Sequence, residues 1–119
     1  MNIAIPTLGE KGLEEKVSEH FGRCLTYTIM DNERNIVTII KNTSSHNGGK
    51  VLPPELLKQN DINVLLCKGI GPKAIKMCNS FDIEVYVDSS STVKEIYTKW
   101  KNNQLHKASL DDACEEHRS

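Results

Sequence analysis

The segment INVLLCKGIGPKAIKMCNSFDIEVYV, residues 62–87, decides the fold. INVLLC is an apolar run of the kind expected for a strand buried on both faces. GIGPKAIKMCNSF is a glycine turn feeding a helix that starts at Pro72, where proline's missing N–H costs nothing. IEVYV is the next strand. Strand, helix and strand in this order make a right-handed crossover between parallel strands.

Downstream, SSSTVKEIYTKWKNN opens with N-cap candidates and places Val93, Ile96, Tyr97 and Trp100 on one helical stripe that ends at Asn102-Asn103. Upstream, LPPELLKQN is a short helix with proline in its first turn. NIAIP, residues 2–6, is a buried first strand ended by proline. LTYTIMD and NIVTIIK are β-branched runs joined through DNERN, a hairpin over about 25–31 and 35–41. TLGEKGLEEKVSEHFG, with glycines at 9, 12 and 22, reads as a loop with one short helical turn, and TSSHNGGK is rich in turn residues. The element order is β-β-β-α-β-α-β-α. It predicts an α/β fold with a five-stranded mixed sheet, strand order 3-2-1-4-5, in which strand 2 alone is antiparallel. That is a ribonuclease-H-like three-layer layout. Residues 1–103 read as one domain and 104–119 as a polar C-terminal tail.

Composition narrows the function. The chain has 119 residues and a formal charge of −1, with acids and bases interspersed, so it lacks the clustered Lys and Arg of a nucleic-acid binder. No apolar run approaches the roughly 20 residues of a membrane span, and MNIAIPTLGEKG has no signal-peptide pattern. The expectation is a cytoplasmic protein with neither nucleic-acid nor membrane partners, as a monomer or weak dimer. The four cysteines, Cys24, Cys67, Cys78 and Cys114, are unevenly spaced, with no CxxC pair. They read as thiols rather than a disulfide framework. Cys114 and His117 form a CxxH pair, a weak chelation signal alone.

The predicted sheet points its parallel strands one way, and open α/β sheets bind ligands beyond the carboxyl ends of such strands. Residues 7–24, 43–50, 68–71 and 88–91 lie there. HFGRC, residues 20–24, therefore shares an edge with SSHNGG, GIG and DSSS. His20 is either a ligand or a surface histidine, and Cys24 either a ligand or a small buried hydrophobe. Phe21 packs under the loop or touches a ligand. Arg23 is a fixed fork of donors for an anion or an ion-pair partner for a nearby Glu. His46 is a second-rank ligand in a solvated loop. Gly48, Gly49, Gly69 and Gly71 are turns or sources of backbone N–H groups for an anion. Cys67 and Cys78 read as core.

Nuclease chemistry by two metals needs carboxylates, and neither NIAIP nor NVLLC supplies them. No nucleophile-elbow motif appears. Thiols, imidazoles, one arginine and exposed amides suit a soft metal or an anionic metal–sulfur cluster.

At this point the chain resembles a known family, the dinitrogenase iron–molybdenum cofactor biosynthesis proteins, as a small stand-alone member. The carriers are MNIAIP, VSEHFGRC, GGKVLPPELLKQNDINVLLCKGIGPKAIKM and IEVYV; ACEEH is similar to the ending of some small members. The resemblance implies a ribonuclease-H-like fold and binding or carriage of an iron–sulfur or molybdenum-containing cluster, without catalysis. His20, Phe21, Gly22 and Arg23 match the family's loop, Gly48 and Gly49 its glycine loop, and Gly69, Gly71 and Pro72 its second turn. The expected partners are the metal cluster and cluster-assembly or acceptor proteins. His20 and Cys24 are candidate ligands, and Cys114 and His117 close over the site or add ligands. One alternative is a zinc module using His20, Cys24, Cys114 and His117 in a tetrahedral S₂N₂ set. Another is a regulatory or protein-interaction domain without metal.

Overall fold

The computed structural model describes residues 1–44 and 51–108. Among these residues, six strands form one mixed sheet: β1 (Asn2–Thr7), β2 (Thr26–Asp31), β3 (Ile36–Lys41), β4 (Val64–Cys67), β5 (Glu84–Val87) and β6 (His106–Lys107), in the order β3-β2-β1-β4-β5-β6. β1 pairs antiparallel with β2 and parallel with β4, and β4 pairs parallel with β5. Three helices among the described residues alternate with the later strands, α1 (Pro53–Gln59), α2 (Pro72–Ser80) and α3 (Val93–Lys101), and a 3₁₀ turn spans Gly12–Glu14.

The expected order of five strands stands, but the five-strand count is corrected to six. His106 and Lys107, inside the segment read as a tail, pair antiparallel with Val87 and Tyr86. Without them β5 would present an unpaired edge. Two exposed polar residues carry no periodic apolar signal, whereas the following Ala108 donates its N–H to Val85 and packs on the core.

Alternation along the central strands divides the core. Ala4, Leu65, Cys67 and Val85 pack with Leu56, Leu57, Ile75 and Cys78 of α1 and α2. Ile3, Ile5, Val64 and Leu66 pack with Val93 and Ile96 of α3 on the other face. Strands apolar at every position are thus covered on both sides.

Each helix ends the same way. Asp61, Asp82 and Asn103 take φ of 57°, 61° and 57°, in the left-handed region that Asn and Asp tolerate better than other L-residues. The N–H groups of Ile62, Ile83 and Gln104 then return to Leu57, Cys78 and Lys99 carbonyls, the Schellman closure. These tight stops launch β4 and β5 directly, fixing where their carboxyl ends lie.

Candidate functional site

The sheet reverses its winding between β1 and β4, since β1 leads outward to β2 while β4 leads to β5 on the other side. Such a switch point opens a crevice beyond the strand ends. The loop after β1, the start of α1, the turn from β4 into α2 and the end of β5 enclose a cavity of about 1090 Å³ there. Its apolar lining includes Phe21, Ile70, Ala74, Met77 and Val87.

Local chemistry sets each wall. Ser18 is buried; its hydroxyl donates to the His20 carbonyl and accepts the His20 N–H, both at 3.2 Å, which turns the chain into HFGR. Phe21 is buried and meets Tyr27 edge-on at 6.0 Å between ring centres. His20 and Arg23 are exposed on the cavity wall. Lys68 and Lys73, which flank the glycine turn that begins α2, line the same cavity. Gly69 belongs to a close approach, because a Cβ there would lie 3.4 Å from the Glu19 carbonyl. Gly71 has open space around it and an ordinary φ of −80°.

The charge is unbalanced. Among the described residues that line the cavity, Arg23, Lys68 and Lys73 are joined by two carboxylates, Glu19 and Asp88. Asp88 is already engaged by the Lys99 ammonium at 3.1 Å and by Ser90. Partial burial works to raise its pKa, yet Ser90 and Lys99 hold the carboxyl below its usual value. Among the described residues, Arg23, Lys68 and Lys73 form no ion pair. The cavity is therefore electropositive over an apolar floor.

The sequence-predicted residues separate into three groups. His20, Phe21, Gly22, Arg23, Gly69 and Gly71 come together on this cavity. His46, Gly48, Gly49, Cys114 and His117 lie outside the described residues. Cys24 lies behind the loop, buried, with its thiol donating to the Phe21 carbonyl at 3.3 Å. Burial pushes that thiol up to about 11, so here it is a proton-bearing donor rather than a thiolate. No group of three His, Cys, Asp or Glu side chains that could hold a metal ion occurs among the described residues. Sequence reasoning passed over Lys68, Lys73 and Met77. The two lysines border the glycine turn already placed at the ligand edge, a signal available in KGIGPK.

The comparisons agree with this architecture. The family model described as dinitrogenase iron–molybdenum cofactor matches residues 1–103. An uncharacterized protein of Methanocaldococcus jannaschii is 27% identical over 112 residues, covering 90% of this chain and 91% of the relative. The apo orange protein of Desulfovibrio gigas superposes with a TM-score of 0.79 at 25% identity, over 91% of this chain and 92% of that one. A NifB-like Thermotoga protein, solved by NMR, superposes with a TM-score of 0.77 at 25% identity, over 89% and 91%. The chain belongs to the dinitrogenase iron–molybdenum cofactor family.

Proposed function

We propose that this chain is a non-catalytic carrier of an anionic metal–sulfur cluster, iron–sulfur or molybdenum-containing, which it holds in the cavity and passes to cluster-assembly or acceptor proteins. The observation that carries this reading is the pairing of unneutralised Arg23, Lys68 and Lys73 with an apolar floor. A strongly hydrated small anion gains little from such a floor. A polarizable, sulfide-faced anion gains both charge neutralisation from the cations and contact with the floor. The first turn of α2 adds backbone N–H groups without intrahelical acceptors to the same wall. His20 and Met77 supply an imidazole and a thioether, donors suited to soft metals.

In this reading the cluster is cargo, recognised by charge and shape with at most one or two protein ligands. Buried Cys24 stands apart from that set, which also weighs against the zinc alternative. The ribonuclease-H-like layout belongs to the same reading, as do a cytoplasmic setting and a monomer or weak dimer. Among the described residues no helix is long and apolar enough to cross a membrane.

The test is anaerobic titration with tetrathiomolybdate, a simple molybdenum–sulfur anion, followed by visible spectroscopy and metal and sulfide analysis. Saturable uptake should weaken with rising salt and fall in Arg23→Ala and Lys73→Ala. Absence of uptake, or uptake indifferent to both substitutions, refutes the carrier reading. Stoichiometric zinc without sulfide in the purified protein favours the zinc module instead.

A further inference from the structure

The inner side of the HFGRC loop is held by two residues that no motif singles out. Asn42, just past β3, donates one amide hydrogen to the Gly22 carbonyl at 3.1 Å and the other to the Cys24 carbonyl at 2.9 Å. Its own N–H is bonded to the Leu25 carbonyl at 3.0 Å, and its side-chain oxygen accepts the Ser44 N–H at 3.1 Å. The amide's two donors and its acceptor are thereby all used, and a flipped amide would set its oxygen against two carbonyls. From β2, the buried Tyr27 hydroxyl donates to the Phe21 carbonyl at 2.8 Å. Three of the four carbonyls from Phe21 to Cys24 are thus tied down on the core side. Arg23, the residue between the two carbonyls that Asn42 holds, lies on the cavity wall.

We infer that Asn42 and Tyr27 are positioning residues for the anion site: they clamp the loop from behind so that His20 and Arg23 stand on the cavity wall before a ligand arrives. This rests on the carrier reading above. An exposed arginine side chain loses rotamer and backbone freedom when it binds, and a loop already fixed loses less. Asn42 therefore acts on the ligand only through Arg23 and its neighbours.

A double-mutant cycle on tetrathiomolybdate binding tests this, with Asn42→Ala, Asn42→Asp, Tyr27→Phe and Arg23→Ala, each verified as folded by circular dichroism. Asn42→Asp keeps the size and the acceptor for Ser44 while setting a carboxylate against two carbonyls. Asn42→Ala should weaken binding about tenfold, Asn42→Asp at least as much, and Tyr27→Phe severalfold. In the Asn42→Ala background, Arg23→Ala should then cost less than half of its effect in the wild type, in logarithmic units. Amide hydrogen exchange gives a ligand-free readout: residues 20–24 should exchange faster in the Asn42 variants while β1 and β4 are unchanged. Folded Asn42 variants that bind as the wild type does, or independent multiplicative effects of Asn42 and Arg23, overturn the inference. If the wild type takes up no probe, the carrier reading fails and the anion role falls with it. Exchange at residues 20–24 then decides whether the clamp itself exists. A uniform acceleration across all strands would reduce Asn42 to a general stabiliser and overturn its positioning role.

Discussion

Alkali should destabilise this protein from about pH 9 upward, and the buried thiols set how much. Burial pushes Cys24 from 9.0 to about 11 and Cys78 from 9.0 to about 12. In the unfolded chain both ionise at their ordinary value, so between these limits the native state binds more protons. Their contribution is full below about pH 9 and is lost as the pH rises through about 11 and 12. At about pH 10, RT ln(1 + 10) gives about 1.4 kcal/mol per thiol, or about 2.8 kcal/mol for the pair. Against a typical total of about 5–15 kcal/mol, that is a large loss. Tyr27 is raised by burial and by neighbouring Cys24, so it acts in the same direction at the upper end of the range. The assay is urea unfolding under anaerobic reducing conditions between about pH 7 and pH 10, in the wild type and in Cys78→Ala. The wild-type midpoint should fall by on the order of 1 M or more, given an m-value of about 1–3 kcal/mol/M. Cys78→Ala should start less stable and lose only about half as much with pH. A wild-type midpoint that stays level over this range, or equal slopes in the two proteins, would show that these thiols are not held protonated by the fold.

Three further outcomes test the local arguments. Asp82→Gly and Asn103→Gly should each raise stability by up to about 1 kcal/mol, because glycine takes the left-handed φ of 61° and 57° without a Cβ penalty; thermal unfolding reads this. Thr92→Ala should lower stability by about 1 kcal/mol, since the threonine hydroxyl caps α3 through the Glu95 N–H at 3.3 Å. Ile75→Ala should cost about 2–5 kcal/mol in urea, because that side chain is completely buried between α2 and the sheet.

The central architecture was legible because its signals are local and repeated. VLLC and IAI are apolar at successive positions, which only a two-sided burial satisfies, and they became β4 and β1. Pro72 and Pro53 mark helix starts because only an N-terminal turn accepts a missing N–H. The helix ends were less distinct: FDI and NDI carry no glycine, and their left-handed aspartates are specified by a backbone closure rather than by composition. β6 left no periodic trace because two exposed residues cannot alternate. It is held by the edge of β5 and by the Ala108 N–H bonded to the Val85 carbonyl, pairings that residues 104–108 do not signal by themselves.

The site was legible in its position more than in its chemistry. The carboxyl-end rule brought HFGR and GIG together from topology alone, and the cavity lies between them. Cys24 shows what spacing leaves undecided. The thiol four residues after His20 reads as a ligand partner, yet strand β2 begins two residues later and Tyr27 and Phe21 surround that position, so the sulfur turns inward and bonds the loop's own carbonyl. Lys68 and Lys73 went the opposite way. Each looks like an ordinary surface lysine in a chain of nearly zero net charge. They became significant when folding set them on one cavity with Arg23, where the carboxylate of Asp88 is already taken by Lys99. A net charge of −1 thus conceals an electropositive cavity, because compensation over a whole chain says nothing about compensation across one opening. Recognition of an anionic cargo by field and shape leaves a fainter trace in sequence than a set of coordinating cysteines. It can be read only once the strand order determines which lysines share a wall.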